Sequence, residues 1–443
     1  MASTWFALPT EMKLAVVDVL GQEDLKALSR VDKGTYSICV PSIFKDVTLK
    51  NWSAVNSFLE SVPASYLRYI QLLDFCTANE DPMDSFSNPF SRTRSDAVAT
   101  FLTSCPRLSR LAMRLSGCLD KSVLPAFSAL RDLRDLTISN CGDEAQCPLS
   151  ERFIVSLAAS IPSLEELSLD RITRSIMHAP ELVGVYPVVP LVSGDDDIAP
   201  HPYLGSDLCL PSLLRIPTLR KLIIRDTHLG DPRWATTPVA CKLQVLDLGS
   251  CYHETDDYNR LCTERIMAAV GPTIDEFSLT TAVADEVFAK PTVTPMQRLR
   301  KLHISPFFPV DSVVDTVSNL AGSPIETLSM QCYEEDVIDM CSALEEFLSL
   351  RVERGPEFYE KLRRLDVFVA ANEDADVDDE DASAKEDCAE RAEAVKRLQE
   401  FCRDLQLASQ VGKVAVDAIT GKTQRSGSSA ADDACDKRPV GHC

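Results

Sequence analysis

The chain has 443 residues, of which 45% are hydrophobic, enough for a sizeable core. Its 45 basic and 67 acidic residues leave a net charge of −22, with a pI of about 4.7. That balance argues against non-specific nucleic-acid binding and against attraction to an anionic membrane surface, both of which need a basic face. No run approaches the roughly eighteen apolar residues of a membrane span.

Leu8-Pro9-Thr10-Glu11-Met12 opens an apolar run at helical spacing, with Leu14, Val16, Val17 and Leu20. Pro9 cannot continue a helix backwards, and Thr10 is placed to cap one forwards. Gly21 suits the end of that helix in a left-handed conformation. Asp24 falls near the start of a second short helix, where negative charge favours the dipole. Residues 33–40 are predicted to form a third helix, stopped before Pro41. Three short helices in under fifty residues make a poor independent core and need a partner, or the rest of the chain, to bury their apolar face.

Beyond residue 50 the pattern changes. Leu133-Arg-Asp-Leu136-Thr-Ile138-Ser-Asn-Cys141 and Leu243-Gln-Val-Leu246-Asp-Leu248-Gly-Ser-Cys251 fit the leucine-rich-repeat spacing L-x-x-L-x-L-x-x-N/C. Looser copies start at Leu67 (with Ile70 and Leu72), Leu108, Leu164, Leu219, Ile274, Leu299, Ile325 and Leu362, and 47–49 reads as a further degenerate strand. Spacings such as 108 to 133 and 274 to 299 match the usual repeat length. Return helices are predicted around 97–102, 150–160 (capped by Ser150), 260–270, 313–320 and 341–350. The expected fold is α/β: a curved parallel sheet inside and helices outside, over residues 51–370.

Two segments interrupt the repeats. Residues 79–96 read as a Ser-, Asn- and Pro-rich loop. Residues 173–213 carry no repeat strand and are expected to be a functional loop or a tolerated surface insertion, with 180–207 among the first places cut by protease. The tail, 371–443, opens with seven acids in the nine residues 373–381. It has one helix predicted at about 384–408, whose stripe of Val395, Leu398, Phe401, Cys402 and Leu405 caps the last repeat. The rest of the tail is expected to be disordered.

The sixteen cysteines include no Cys-x-x-Cys pair, so zinc of the usual spacing is not expected. Cys141 and Cys251 read as small buried structural thiols. Residues 1–20 lack the pattern of a secretory signal, so a reducing compartment, cytoplasm or nucleus, is expected. No His-Glu-x-x-His, phosphate-cradling glycine loop or Gly-x-Ser-x-Gly is present. His253 beside Glu254, Asp256 and Asp257 is the one place a metal is conceivable, but a polar loop after a repeat strand explains it better. No enzyme activity and no cofactor are expected. Strand alternation puts Lys221, Arg225, Asp247, Lys301 and His303 on the open face of the sheet as candidate substrate-binding residues, suited to a polar or acidic peptide.

Within the first fifty residues, Leu8-Pro9 with Glu11, then Leu20, Asp24-Leu25, Leu28 and Val31, resemble an F-box. That is the three-helix module that docks onto the Skp adaptor of cullin–RING ubiquitin ligases. Thr35 stands where the family often carries an aromatic residue, and Tyr36 follows. The resemblance implies that Leu8, Pro9, Glu11, Leu20, Leu25, Leu28 and Val31 serve adaptor binding, and that residues 51–370 recruit a target protein. The alternative is a free-standing leucine-rich interaction scaffold whose N-terminal helices cap the solenoid.

Overall fold

In the L-x-x-L-x-L spacing, strand alternation turns two leucines of each repeat to one face, and that face must be covered. The computed structural model describes residues 4–79, 92–185, 189–290, 295–355, 357–370 and 382–414. Its strands are β1 (Asp46–Leu49), β2 (Leu72–Cys76), β3 (Arg110–Leu115), β4 (Asp135–Asn140), β5 (Glu166–Asp170), β6 (Arg174–Ser175) and β7 (Leu191–Val192). After them come β8 (Lys221–Arg225), β9 (Val245–Leu248), β10 (Glu276–Leu279), β11 (Lys301–Ile304), β12 (Thr327–Cys332), β13 (Arg364–Val369) and β14 (Ala408–Val414). All but β6 and β7 form one twelve-stranded sheet in chain order, and every neighbouring pair is parallel. The protein is thus α/β, a long parallel sheet with helices along one side.

The register runs Leu111, Leu136, Leu167, Leu222, Leu246, Phe277, Leu302, Leu328, Leu365 from strand to strand. None of these is more than 1% exposed, and one apolar core continues from Val47 to Val411. The first repeat departs from its predicted spacing. Ile70, Leu73 and Phe75 are the buried triplet, at 0–2% exposure, while Leu72 sits half-buried on the opposite face. Leu67 is buried too, so the run of apolar residues there fits two registers, and pairing of Leu73 with Leu111 selects one.

Helices Arg92–Thr103, Glu151–Ser160, Asp256–Val270, Val313–Asn319 and Val337–Arg354 return the chain along the leucine side. The predicted loop at 79–96 already turns helical at Arg92, and its residues 80–91 lie outside the described set. Ser150 caps its helix as expected, its Oγ accepting the N–H of Phe153 at 3.4 Å. The helix Ala382–Asp404 buries Ala394, Leu398 and Cys402 against the end of the core, and Gln399 donates to the Val411 carbonyl at 3.4 Å. The strand that follows, β14, was not expected. Ala-Ser-Gln-Val-Gly-Lys-Val carries no leucine triplet, and it pairs with β13 through a register shift at Val367 and Phe368. The predicted disordered segments 373–381 and 420–443 lie outside the described residues.

The insertion is the largest departure from expectation. The strands β6 and β7 pair with each other, and Ser175, Ala179, Leu208, Cys209 and Leu213 are fully buried. It lies on the helix Glu151–Ser160, where every residue from Glu151 to Ala158 is buried rather than one face alone. Charged groups there are matched. Asp195 accepts from Ser150 Oγ at 2.6 Å and Ser175 Oγ at 2.7 Å, and Arg152 Nε donates to the Asp195 carbonyl at 3.2 Å. Glu151 accepts from the Ser175 N–H at 3.0 Å and lies 2.9 Å from His178 Nδ1. Arg174, 1% exposed, reaches Asp231 at 3.1 Å. Asp195, Ile198 and Leu204 are thus held down, so the expected early proteolysis narrows to the mostly exposed residues 181–185, and 186–188 lie outside the described residues.

Candidate interaction surfaces

The N-terminal helices run over Thr10–Val19, Gln22–Ser29 and Lys33–Ile43, preceded by Thr4–Ala7. Three local details differ from expectation. Pro9, not Thr10, holds the N-cap position, and no side chain caps that helix. Gly21 has an ordinary extended backbone and is the N-cap of the second helix. Pro41 lies inside the third helix, which ends at Ile43, because a proline in the last turn removes only one backbone bond. Asp32 caps that third helix, accepting from the N–H groups of Gly34 at 2.7 Å and Thr35 at 3.1 Å.

The module's own core is small: Val17, Leu25 and Cys39, with Trp5, Leu20, Leu28, Ile38 and Ile43 packed around them. Thr35 is buried and accepts the indole N–H of Trp5, from the helix Thr4–Ala7, at 3.0 Å. Of the residues picked out by resemblance, Leu25 is buried, Leu8, Leu20 and Leu28 are half-buried, and Pro9, Glu11 and Val31 are exposed. Met12, Val16 and Val19, outside the set that the resemblance assigns to adaptor binding, stand exposed, Val19 at 81%. The amphipathic pattern was the available signal, since only Val17 of the first helix is buried. On the other side, Phe44 stacks on Tyr66 at 5.3 Å and on Phe58 at 6.3 Å, joining the module to the first repeat.

The second surface is the open face of the sheet. Lys221, Arg225, Lys301 and His303 do stand there, but each faces an acid: Lys221 with Glu166 at 3.6 Å, Arg225 with Asp247 at 2.6 Å, and Lys301 and His303 both with Glu276 at 3.1 and 3.0 Å. Parallel pairing causes this, because Glu166 lies opposite Lys221, and Glu276 opposite Lys301. The expected isolated basic spot is thus a ladder of cross-strand pairs, continued by Arg110–Asp135, while Arg364 pairs with Asp366 of its own strand. Asp247 also corrects its expected exposure. With Ile223, Ser278, Ser329 and Asp366 it shares a middle row in which these five are at most 6% exposed and only His303, between Ser278 and Ser329, is half-buried. Asp247→Ala is therefore not the neutral surface change that alternation alone implies.

Polar loops follow the strands. Glu144 accepts from Tyr252 Oη at 2.7 Å and lies 2.9 Å from His253 Nε2, while Glu254 turns instead to His228 Nε2 at 3.0 Å. His253 and Glu254 thus point to different partners, and among the described residues no group of three or more His, Cys, Asp or Glu is placed to hold a metal. Burial pushes the Asp170 carboxyl up to about 6, with Asp226 adding to the effect. His228 is held neutral by burial, its pKa lowered to about 4. Its Nδ1 accepts the Gly230 N–H at 3.3 Å, a bond that a second ring proton would break. The folded-state value lies below the unfolded one, so this histidine's contribution is present above pH ~6.5 and is lost as pH falls toward 4. His228→Asn is expected to reduce the loss of thermal stability between pH 7 and 4.5. Scanning calorimetry of both proteins across that range checks it, and an unchanged slope would show that other groups carry the acid response.

No family model matches the chain, and no curated protein matches it. Among solved structures, the crystal structure of a TLR13–ssRNA13 complex aligns with 74% of this chain and 45% of that one, at 12% identity and a TM-score of 0.24. A likeness that low carries no argument, and the repeat architecture rests on the sheet and its register. No described helix is long and apolar enough to cross a membrane.

Proposed function

We propose that this chain is the substrate-recruiting subunit of a Skp–cullin–F-box ubiquitin ligase, with residues 4–43 docking the adaptor and the open face of the sheet binding a target protein. The observation that carries the reading is the N-terminal module itself. Its own apolar cluster is only Val17, Leu25 and Cys39, and it leaves Met12, Val16, Val19 and Val31 in water beside a long repeat surface. Exposed apolar residues gathered on a small helical unit mark an interface. Leu20, Leu25 and Leu28 then support that interface from within, and Pro9, Glu11 and Val31 touch the partner. The chain performs no chemistry in this role; it positions a target.

One observation favours the second reading, a leucine-rich interaction scaffold with no ubiquitin role. The Phe44–Tyr66–Phe58 contacts seat the module on the first repeat as a solenoid cap is seated. Adaptor capture separates the two. Val19→Lys with Val31→Lys changes exposed positions and is expected to leave the melting temperature unchanged while abolishing co-purification with a Skp-type adaptor. Leu8→Ala with Pro9→Ala is expected to act in the same direction. Undiminished capture by a folded double mutant rejects adaptor docking and leaves the cap.

A further inference from the structure

Two cysteines that lie 65 residues apart in sequence meet at the edge of the open face. The strands β2 and β4 both pair with β3, so Cys76, at the end of β2, and Cys141, just past β4, flank Arg114 of β3. Their sulfurs are 3.8 Å apart. Cys141 is exposed, against its expected role as a buried repeat thiol, whereas Cys251 at the equivalent position is buried. The difference has a local cause. Asn140 takes over the turn, donating to the Cys147 carbonyl at 3.0 Å and accepting the Gly142 N–H at 2.9 Å, which leaves Cys141 turned outward.

We propose that Cys76 and Cys141 form a hydroperoxide-reactive dithiol that closes to a reversible disulfide across the edge of the open face. The setting separates Cys76 from the other described thiols, Cys141 included, whose thiol is pushed up by the shared hydrogen bond and by burial. Cys76 Sγ accepts the Ala78 N–H at 3.4 Å. Beside it Arg114 reaches Asp74 at 3.5 Å with one nitrogen and leaves its buried Nε without a hydrogen-bond partner. The hydrogen bond from Cys141, then the Ala78 N–H and the Arg114 charge, outweigh burial and bring the Cys76 thiol down to about 6. Burial has the opposite effect on Cys105, Cys118, Cys209, Cys251, Cys332 and Cys341, each pushed up to about 12. The thiolate is the nucleophile, and a small oxidant enters beside the exposed Cys141.

In the first step the Cys76 thiolate attacks the terminal oxygen of the hydroperoxide. An S–O bond forms, the O–O bond breaks, and the leaving alkoxide takes a proton from water. Cys141 sulfur then attacks the sulfenic acid. The S–S bond forms, the S–O bond breaks, and the departing hydroxyl leaves as water with the Cys141 proton. Two thiols lose two electrons, and one hydroperoxide becomes an alcohol and water. Closing from 3.8 Å to a disulfide bond of about 2.05 Å moves the backbone, because β2 and β4 stand two strand spacings, roughly 9.5 Å, apart. Cys141 lies beyond its strand, with its N–H on the Leu115 carbonyl at 2.8 Å, so closure has to draw on the turn that Asn140 holds. A disulfide strained in this way is readily reduced again.

The test uses the reduced full-length protein, treated with equimolar hydrogen peroxide, alkylated, digested and mapped by mass spectrometry. A Cys76–Cys141 linked peptide is expected to accumulate at least tenfold faster than oxidation at the six burial-raised thiols. Dithiothreitol should reverse it, and the same treatment in urea should lose the selectivity. Cys141→Ser is expected to abolish the link and leave a dimedone-trapped sulfenic acid at Cys76. Arg114→Gln is expected to slow the first step at pH 7 several-fold without changing the melting temperature. Full alkylation of both cysteines while others oxidise overturns the proposal. So does preferential linkage to Cys388, Cys435 or Cys443.

Discussion

Leu302→Ala is expected to lower the unfolding free energy by about 2–5 kcal/mol. Leu302 is fully buried, and its register neighbours Phe277 and Leu328 are themselves held by strands on either side. A hole there cannot be closed by local collapse, because the spacing between parallel strands is fixed by the backbone ladder. Leu136 and Leu246 occupy the same row and should respond alike. The control is Thr137→Ala, on the half-exposed face of β4, expected within about 0.5 kcal/mol of the parent. Urea unfolding followed by circular dichroism reads both. A neutral Leu302→Ala beside a damaging Thr137→Ala would put the register off by one residue.

Asp195→Ala is expected to free the insertion. The substitution leaves Ser150 Oγ, Ser175 Oγ and the Arg152 guanidinium in the interior without their shared acid. Breaking one side of such a buried charge costs about 3–5 kcal/mol. The loss falls first on the segment that Asp195 ties down, since the leucine rows of the sheet do not depend on it. Limited proteolysis should therefore cut within 189–207 in the mutant under conditions that spare those residues in the parent, while the sheet still unfolds as a unit. Equal protection of the two proteins would mean that the apolar contacts of Ala179, Leu208 and Leu213 hold the segment unaided.

The parts of this protein that sequence alone determined are those governed by short-range periodicity. Two leucines at alternate positions in a strand must share a face, so nine of the ten triplets could be placed by inspection. Ser150 caps its helix for an equally local reason. Where several apolar residues lie close together, as from Leu67 to Phe75, local spacing admits two registers, and only pairing with Leu111 chooses between them. The strand β14 was invisible because its place depends on an open ladder at β13, not on its own composition.

Tertiary structure decided everything that depends on residues distant in the chain. Glu151, Arg152, Arg174 and Asp195 are residue types that normally face water, and nothing in their spacing says otherwise. They are buried because the insertion folds back onto a helix more than twenty residues earlier, where each charge meets a partner. The candidate basic residues Lys221, Arg225, Lys301 and His303 were placed on the correct face by alternation. Strand order then set acids beside them, which alternation cannot foresee. Cys76 and Cys141 show the same division. Their chemistry is fixed by residue type, but their meeting depends on β3 lying between their strands, and on Asn140 releasing Cys141 from the core.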